Sequence, residues 1–177
     1  EDPGHDLVSM LVHGEATGSR PMAEHLGNIL LLIVGGNDTT RNTMSGSVFG
    51  LNQYPAQYDK LNSNPDLVAQ MVPEILRWQT PLNYMRRTAT RDCEIGGKQI
   101  SAGDQVLMWY VSGNRDREVW GNDADDLDIE RADTPKPRSF GYGVHDSVGS
   151  RRAELQLQVL WDAILHRFER SEMVGER

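Results

Sequence analysis

The residues best placed to do chemistry stand in one run, Phe140-Gly141-Tyr142-Gly143-Val144-His145-Asp146-Ser147-Val148-Gly149. Its glycines permit positive φ and let the backbone approach a flat ligand closely, which residues carrying a Cβ resist. Apolar residues at helical spacing follow from Ser150 to Trp161, so the run feeds a helix N-terminus. A loop of that kind can present the Ser147 hydroxyl or the His145 imidazole to a bound ligand. Taken alone, it also reads as a plain turn with a good helix start. A second constellation is Gly35-Gly36-Asn37-Asp38-Thr39-Thr40. Gly35 and Thr39 share a helix face at i,i+4, so the missing side chain opens a groove beside a hydroxyl and an acid. The competing reading is a weakened helix, at about 1 kcal/mol per glycine, whose hydroxyls bond back to carbonyls.

These runs need elements to hold them. Asp6 to Glu15 reads as a short helix, and Arg20-Pro21 starts a long one over 22–52, with Leu26, Ile29, Leu30, Ile33 and Val34 on an apolar face. Roughly 30 residues would span about 45 Å. Pro55 opens a helix to about Ser63, and Asn64-Pro65-Asp66 opens another over 66–79 that carries Glu74, Arg77 and an interior Pro73. Interior proline costs about 3 kcal/mol unless the helix bends. After Thr80-Pro81, Leu82 to Ala89 reads as extended. Cys93 to Ile100 is a hairpin turning at Gly96-Gly97, and Gln105 to Trp109 is a strand. A final helix covers 150–168, and 171–177 is expected to fray. The fold class is therefore mainly α with small β-sheets, an α+β arrangement.

A length of 177 residues points to about one domain. Net charge −8 gives no basic stripe for nucleic acid. The single cysteine, Cys93, excludes an intramolecular disulfide and fits a reducing cytoplasm. Glu1-Asp2-Pro3-Gly4-His5-Asp6 is unlike a secretory start. The longest apolar run, Ile29 to Val34, is far short of the about 20 residues a membrane span needs.

Together the two runs resemble the cytochromes P-450. In that family Phe-Gly-x-Gly-x-His-x-Cys-x-Gly leads into the proximal helix, and the cysteine thiolate ligates haem iron. Phe140, Gly141, Gly143, His145, Gly149, Ala153 and Glu154 fall in place, whereas Ser147 stands at the cysteine position, and Asp146 and Arg152 also depart from the pattern. The family's Gly-Gly-x-Asp-Thr-Thr motif is matched in full by Gly35, Gly36, Asp38, Thr39 and Thr40. The chain aligns with only the C-terminal half of the family, so it reads as a fragment: a partial cytochrome P-450 domain over 1–177.

What the resemblance implies can be stated by residue. Asp38 and Thr39 would serve oxygen activation, Thr39 by hydrogen bonding at the iron and Asp38 by relaying protons. Gly35, Arg87, Phe140, Gly141, His145 and Gly149 would bind haem b, with Arg87 on a propionate and Arg86 a near competitor. Ser147 would be an oxygen ligand in place of the thiolate, or His145 could replace it if the loop moved. Leu82, Tyr84 and Met85 would face substrate, which of them points inward depending on strand register. Glu74, Arg77 and Arg131 would form a buried structural cluster, although a bare Glu-x-x-Arg is more often a surface pair worth about 0.2–0.5 kcal/mol. The stretches around Arg77 and Trp109 look most like bacterial members that hydroxylate terminal carbons of medium-chain alkanes and fatty acids. Those imply a cytoplasmic enzyme using O2, a ferredoxin and its NADH-dependent reductase, with no membrane span and no nucleic acid. A neutral hydroxyl donates far less to iron than a thiolate, so impaired monooxygenation is expected. The alternatives are a deliberately serine-ligated haem protein with carbene- or peroxide-type chemistry, and a non-enzymatic remnant that binds no haem.

Overall fold

The computed structural model describes residues 4–131 and 136–174. Contacts divide the chain into two compact units, Glu1–Thr40 and Arg41–Arg177.

In the first unit, α1 spans Leu7–His13. Asp6 caps it, its carboxylate accepting the Val8 and Ser9 N–H groups at 3.0 Å each. The Ser9 backbone N–H, then its hydroxyl, hold that carboxyl below its ordinary value. Helix α2 spans Met22–Gln53, starting after Pro21 and running through both glycines; its residues up to Thr40 belong to this unit. Leu26 and Leu30 to Val34 are exposed, although a helix segment apolar on every side is ordinarily a buried one.

The second unit holds the core. The last turns of α2 join α3 (Pro55–Ser63), α4 (Val68–Gln79) and the C-terminal helix described below. Leu51, Tyr58, Leu61, Met71, Ile75, Leu76, Leu157 and Trp161 form a contiguous buried cluster. Tyr58 meets Trp161 edge-on at 5.8 Å, and the Trp161 indole N–H donates to the buried Ser47 hydroxyl at 2.8 Å, so the largest core ring leaves no donor unpaired. The expected helix start at residue 66 is instead a 3₁₀ turn, Pro65–Leu67, with α4 proper beginning at Val68. Pro73 does lie inside α4. The carbonyl its missing N–H would have met belongs to Ala69, which is exposed and so open to water.

Two small antiparallel sheets follow. β1 (Tyr84–Thr88) pairs with β4 (Gln105–Trp109), and β2 (Cys93–Ile95) pairs with β3 (Lys98–Ile100) across the glycine turn. Two short helices, α5 (Tyr110–Gly113) and α6 (Arg117–Trp120), lead towards the final helix α7, Ser150–Arg167. Beyond it the chain does not fray where expected. Asn52 donates to the Ser171 carbonyl at 3.0 Å and accepts the Met173 N–H at 3.3 Å, while the Tyr58 hydroxyl accepts the Ser171 N–H at 2.9 Å. Residues 171–173 are thus tied to α2 and α3; 175–177 lie outside the described residues.

Candidate functional site

Residues 140–149 form a tight loop between a 3₁₀ turn, Arg138–Phe140, and α7. Gly141 has φ +86°, and a Cβ there would stand 2.5 Å from the His145 carbonyl oxygen, so the position admits no side chain. Gly143 has φ +64° but faces open space. The Ser147 N–H donates to the Phe140 carbonyl at 2.8 Å, closing the loop. The Ser147 hydroxyl accepts the Gly149 N–H at 3.2 Å, and its carbonyl accepts the Ser150 N–H at 3.2 Å. The side of the loop is braced by an ion pair between Lys136 and Asp146 and by the Arg138 guanidinium lying 4.7 Å over the Tyr142 ring. Ser147, His145, Val144 and Val148 are exposed.

Glu74, Arg77 and Arg131 come together. Arg77 is fully buried and bonded at every N–H: to both Glu74 carboxylate oxygens at 2.7 Å, and to the carbonyls of Asn114 (2.8 Å), Ala124 (2.6 Å) and Asp126 (2.7 Å). Its plane also lies 5.3 Å from the Trp120 ring. Glu74 further accepts the Asp128 N–H at 3.0 Å and Arg131 Nε at 3.3 Å. The second partner of Arg131 is Asp123, at 3.1 Å. That hydrogen bond from Arg131 holds the Asp123 carboxyl below its ordinary value. Burial draws the Arg131 guanidinium down, but the bond to Asp123 and the charge of Glu74 outweigh it, and the net direction is up. A cluster this buried and this fully bonded avoids the cost of an orphaned interior charge.

The sheet sorts Tyr84 and Met85 onto different faces. Met85 opposes Met108 and Arg87 opposes Val106, whereas Tyr84 opposes Trp109 and Arg86 opposes Leu107. Adjacent strand residues point to opposite faces, so Met85 shares a face with Arg87 and Tyr84 does not. Tyr84 instead lies 5.0 Å from the Trp109 ring, and Leu82 stands half-buried before the strand. The register left open in the sequence thus puts Tyr84 and Met85 on opposite faces. Gly35, Asp38 and Thr39 stand on α2 in the first unit. There the Thr39 hydroxyl donates to the Gly35 carbonyl at 3.2 Å, the back-bonding available to any helical threonine. An open cleft of about 580 Å³ near Gly46, Phe49, Gln79 and Met173 contains none of the residues singled out in the sequence.

A family model described as cytochrome P450 matches residues 63–176, which take in the buried cluster, the loop and α7. The chain belongs to the cytochrome P450 family. It is 42% identical over 177 residues to linalool 8-monooxygenase of Pseudomonas putida, covering 99% of this chain and 43% of that protein. It is 38% identical over 161 residues to the methyl-branched lipid omega-hydroxylase of Mycobacterium tuberculosis, covering 90% and 37%. Cytochrome P450-153 from Novosphingobium aromaticivorans superimposes with a TM-score of 0.87 at 48% identity, over 92% of this chain and 41% of that one. The chain therefore spans less than half the length of these relatives. Among the described residues no helix is long and apolar enough to cross a membrane.

The loop of this cytochrome P450 does not offer a haem iron the thiolate donor that the family pattern carries. Its tip is open and its one impossible Cβ has been removed at Gly141, yet the side chain at the tip is a neutral hydroxyl that already accepts a backbone N–H. The only thiol, Cys93, is exposed on the β2 hairpin. No oxygen-activating step through the iron follows from this donor set. Three residues here were not singled out from the sequence: Thr80, Asn114 and Ser139, all buried. Nothing in their own types marks them; the Thr80-Pro81 break was the available signal.

Proposed function

We propose that this chain is the haem-bearing C-terminal part of a cytochrome P450 monooxygenase that hydroxylates medium-chain alkanes or fatty acids, and that Ser147 impairs it. Loop 140–149 carries the reading: a closed, glycine-permitted turn that delivers an exposed side chain at the N-terminus of α7. When bound, haem b would supply a redox-active iron. Phe140, Gly141 and Gly149 would shape its cradle, and Arg87 and His145 would pair with its propionates. Ser147 would face the iron. Met85, on the Arg87 face of β1, is the substrate contact this geometry favours over Tyr84. Asp38 and Thr39, which match the family's motif on α2, would have the proton-handling role. The Glu74, Arg77 and Arg131 cluster folds the region and touches no reacting atom.

The names of the relatives support an apolar substrate with a chain end, since one is a linalool 8-monooxygenase and another a methyl-branched lipid omega-hydroxylase. A ferredoxin with its NADH-dependent reductase in the cytoplasm would supply electrons. The test is haem titration of the chain, followed by a reduced carbon-monoxide difference spectrum of the wild-type chain and of Ser147→Cys. Haem uptake by both, with a Soret shift on Ser147→Cys, supports the reading. Failure of either to take up haem would leave only a remnant that keeps the family's fold.

A further inference from the structure

We infer that Asn114 is the positioning residue of loop 140–149, holding its stem in one place through a directed chain of hydrogen bonds; the inference rests on the reading of that loop as the cofactor loop. Asn114 caps α5, is fully buried and bonds through its side chain to three residues in two separate stretches of chain. Its amide nitrogen donates to the Thr80 hydroxyl and to the Ser139 hydroxyl, both at 2.9 Å. Its side-chain oxygen accepts the Arg138 N–H at 2.7 Å. Each hydroxyl passes its own proton onward, Thr80 to the Arg77 carbonyl and Ser139 to the Leu76 carbonyl, both at 2.6 Å.

The direction of this chain is forced. A helix leaves its last carbonyls without intrahelical donors, and Leu76 and Arg77 occupy the last turn of α4. The Leu76 carbonyl also accepts the Thr80 N–H at 3.1 Å, but a carbonyl can only accept, so the Thr80 and Ser139 hydroxyls spend their protons on Arg77 and Leu76; towards Asn114 each can then only accept, and only its NH2 side serves both. Its oxygen is then left for Arg138, so the amide has one orientation with every bond made. A fully satisfied buried network of this kind specifies a single arrangement. The strained backbone agrees: Thr80 is the sole described residue other than glycine at positive φ, +42°, a conformation that persists where its surroundings over-determine it.

The loop begins where the network ends. Arg138 and Ser139 are both held by Asn114, the Arg138 carbonyl accepts the Gly141 N–H at 2.9 Å, and the Phe140 carbonyl, two residues on, accepts the Ser147 N–H. The position of Ser147 is therefore set from Asn114 through consecutive residues, although the two side chains do not touch. A network that merely stabilised the fold would affect α4 and the loop alike. One that positions the loop affects the loop first.

Residue-resolved amide hydrogen exchange of the full chain without haem separates the two. In Asn114→Ala the Gly141 and Ser147 amides are expected to exchange about tenfold faster relative to the Ile75 and Leu76 amides than in the wild type, the scale of losing buried hydrogen bonds at one site. Ser139→Ala removes one link of the chain and is expected to give the same selectivity at smaller size. Acceleration by one common factor in loop and helix overturns the inference, as does an unchanged loop. Should Asn114→Ala fail to fold, Ser139→Ala decides by the same ratio. Haem titration of the wild-type chain is read separately: loop-selective exchange without haem uptake keeps the positioning role and removes the cofactor reading, and the opposite pair of results does the reverse.

Discussion

The Glu74, Arg77 and Arg131 cluster and loop 140–149 are opposite solutions to placing polar groups. In the cluster, charges are buried and every donor of Arg77 is used. In the loop, the groups that could do chemistry are exposed and held chiefly by backbone bonds. Burial with full pairing leaves one geometry and no spare valence. Exposure leaves valence for a ligand and gives up self-sufficiency, so the loop depends on what grips its stem.

Arg77→Ala is the most damaging way to test that contrast. It leaves the Glu74 carboxylate buried beside a cavity, the Asn114 and Ala124 carbonyls without their Arg77 donors, and the Asp126 carbonyl with only the 3.4 Å bond from Arg131, a class of change that costs about 3–5 kcal/mol. Urea unfolding of the purified chain is expected to show a loss of that order, or no folded baseline. Substituting Arg77 and Glu74 together by leucine is expected to recover only part of it, because the Asn114 and Ala124 carbonyls still lack their donor. Full recovery would mean that the ion pair, not the carbonyl clamp, is what matters.

Two glycines sharpen the loop side. Gly141→Ala meets both a left-handed φ and the His145 carbonyl, whereas Gly143→Ala meets the φ alone. The shared term is about 1–2 kcal/mol, so Gly141→Ala should be clearly the worse of the two and should also speed exchange of the Ser147 amide. Equal effects in a thermal melt would show that the loop yields around residue 141 and is not closed tightly.

A smaller effect is expected at the tail. Asn52→Ala removes the bonds to Ser171 and Met173 and should cost about 1 kcal/mol while making 171–173 susceptible to limited proteolysis. Unchanged proteolysis would assign the tail's order to Tyr58 and to Arg170, which lies over the Tyr58 ring.

Much of this was legible in the sequence, and the misses share a cause. Helix α2 was expected over 22–52 and runs Met22–Gln53; the hairpin and β4 fall where glycine turns and alternating patterns put them. Such features depend on neighbours in the chain. The tail, with its polar residues and no periodicity, read as fraying because its partners, Asn52 and Tyr58, lie over 110 residues away. Tyr84 and Met85 could not be sorted onto faces until pairing with β4 fixed the register. Asn114 is a single polar residue whose three partners come from distant stretches, and nothing local distinguishes it from an exposed asparagine.

Arg131 joins the two regimes, with one partner, Glu74, in the interior and the other, Asp123, about half exposed at the rim. The Asp123 carboxyl is held below its ordinary value by the Arg131 hydrogen bond. A depressed folded-state pKa contributes stability that is present above the unfolded carboxylate value, about 3.9, and lost as pH falls through the lower folded value. The stability difference between the wild type and Asp123→Asn should therefore be small and constant from neutral pH down to about pH 5 and shrink below about pH 4. Added salt should shrink it at neutral pH as well, since an exposed pair is screened. Urea midpoints at several pH values, with and without salt, measure both. A difference that survives acid and salt would mean that Asp123 acts through packing, and that the rim of the cluster is as closed as its centre.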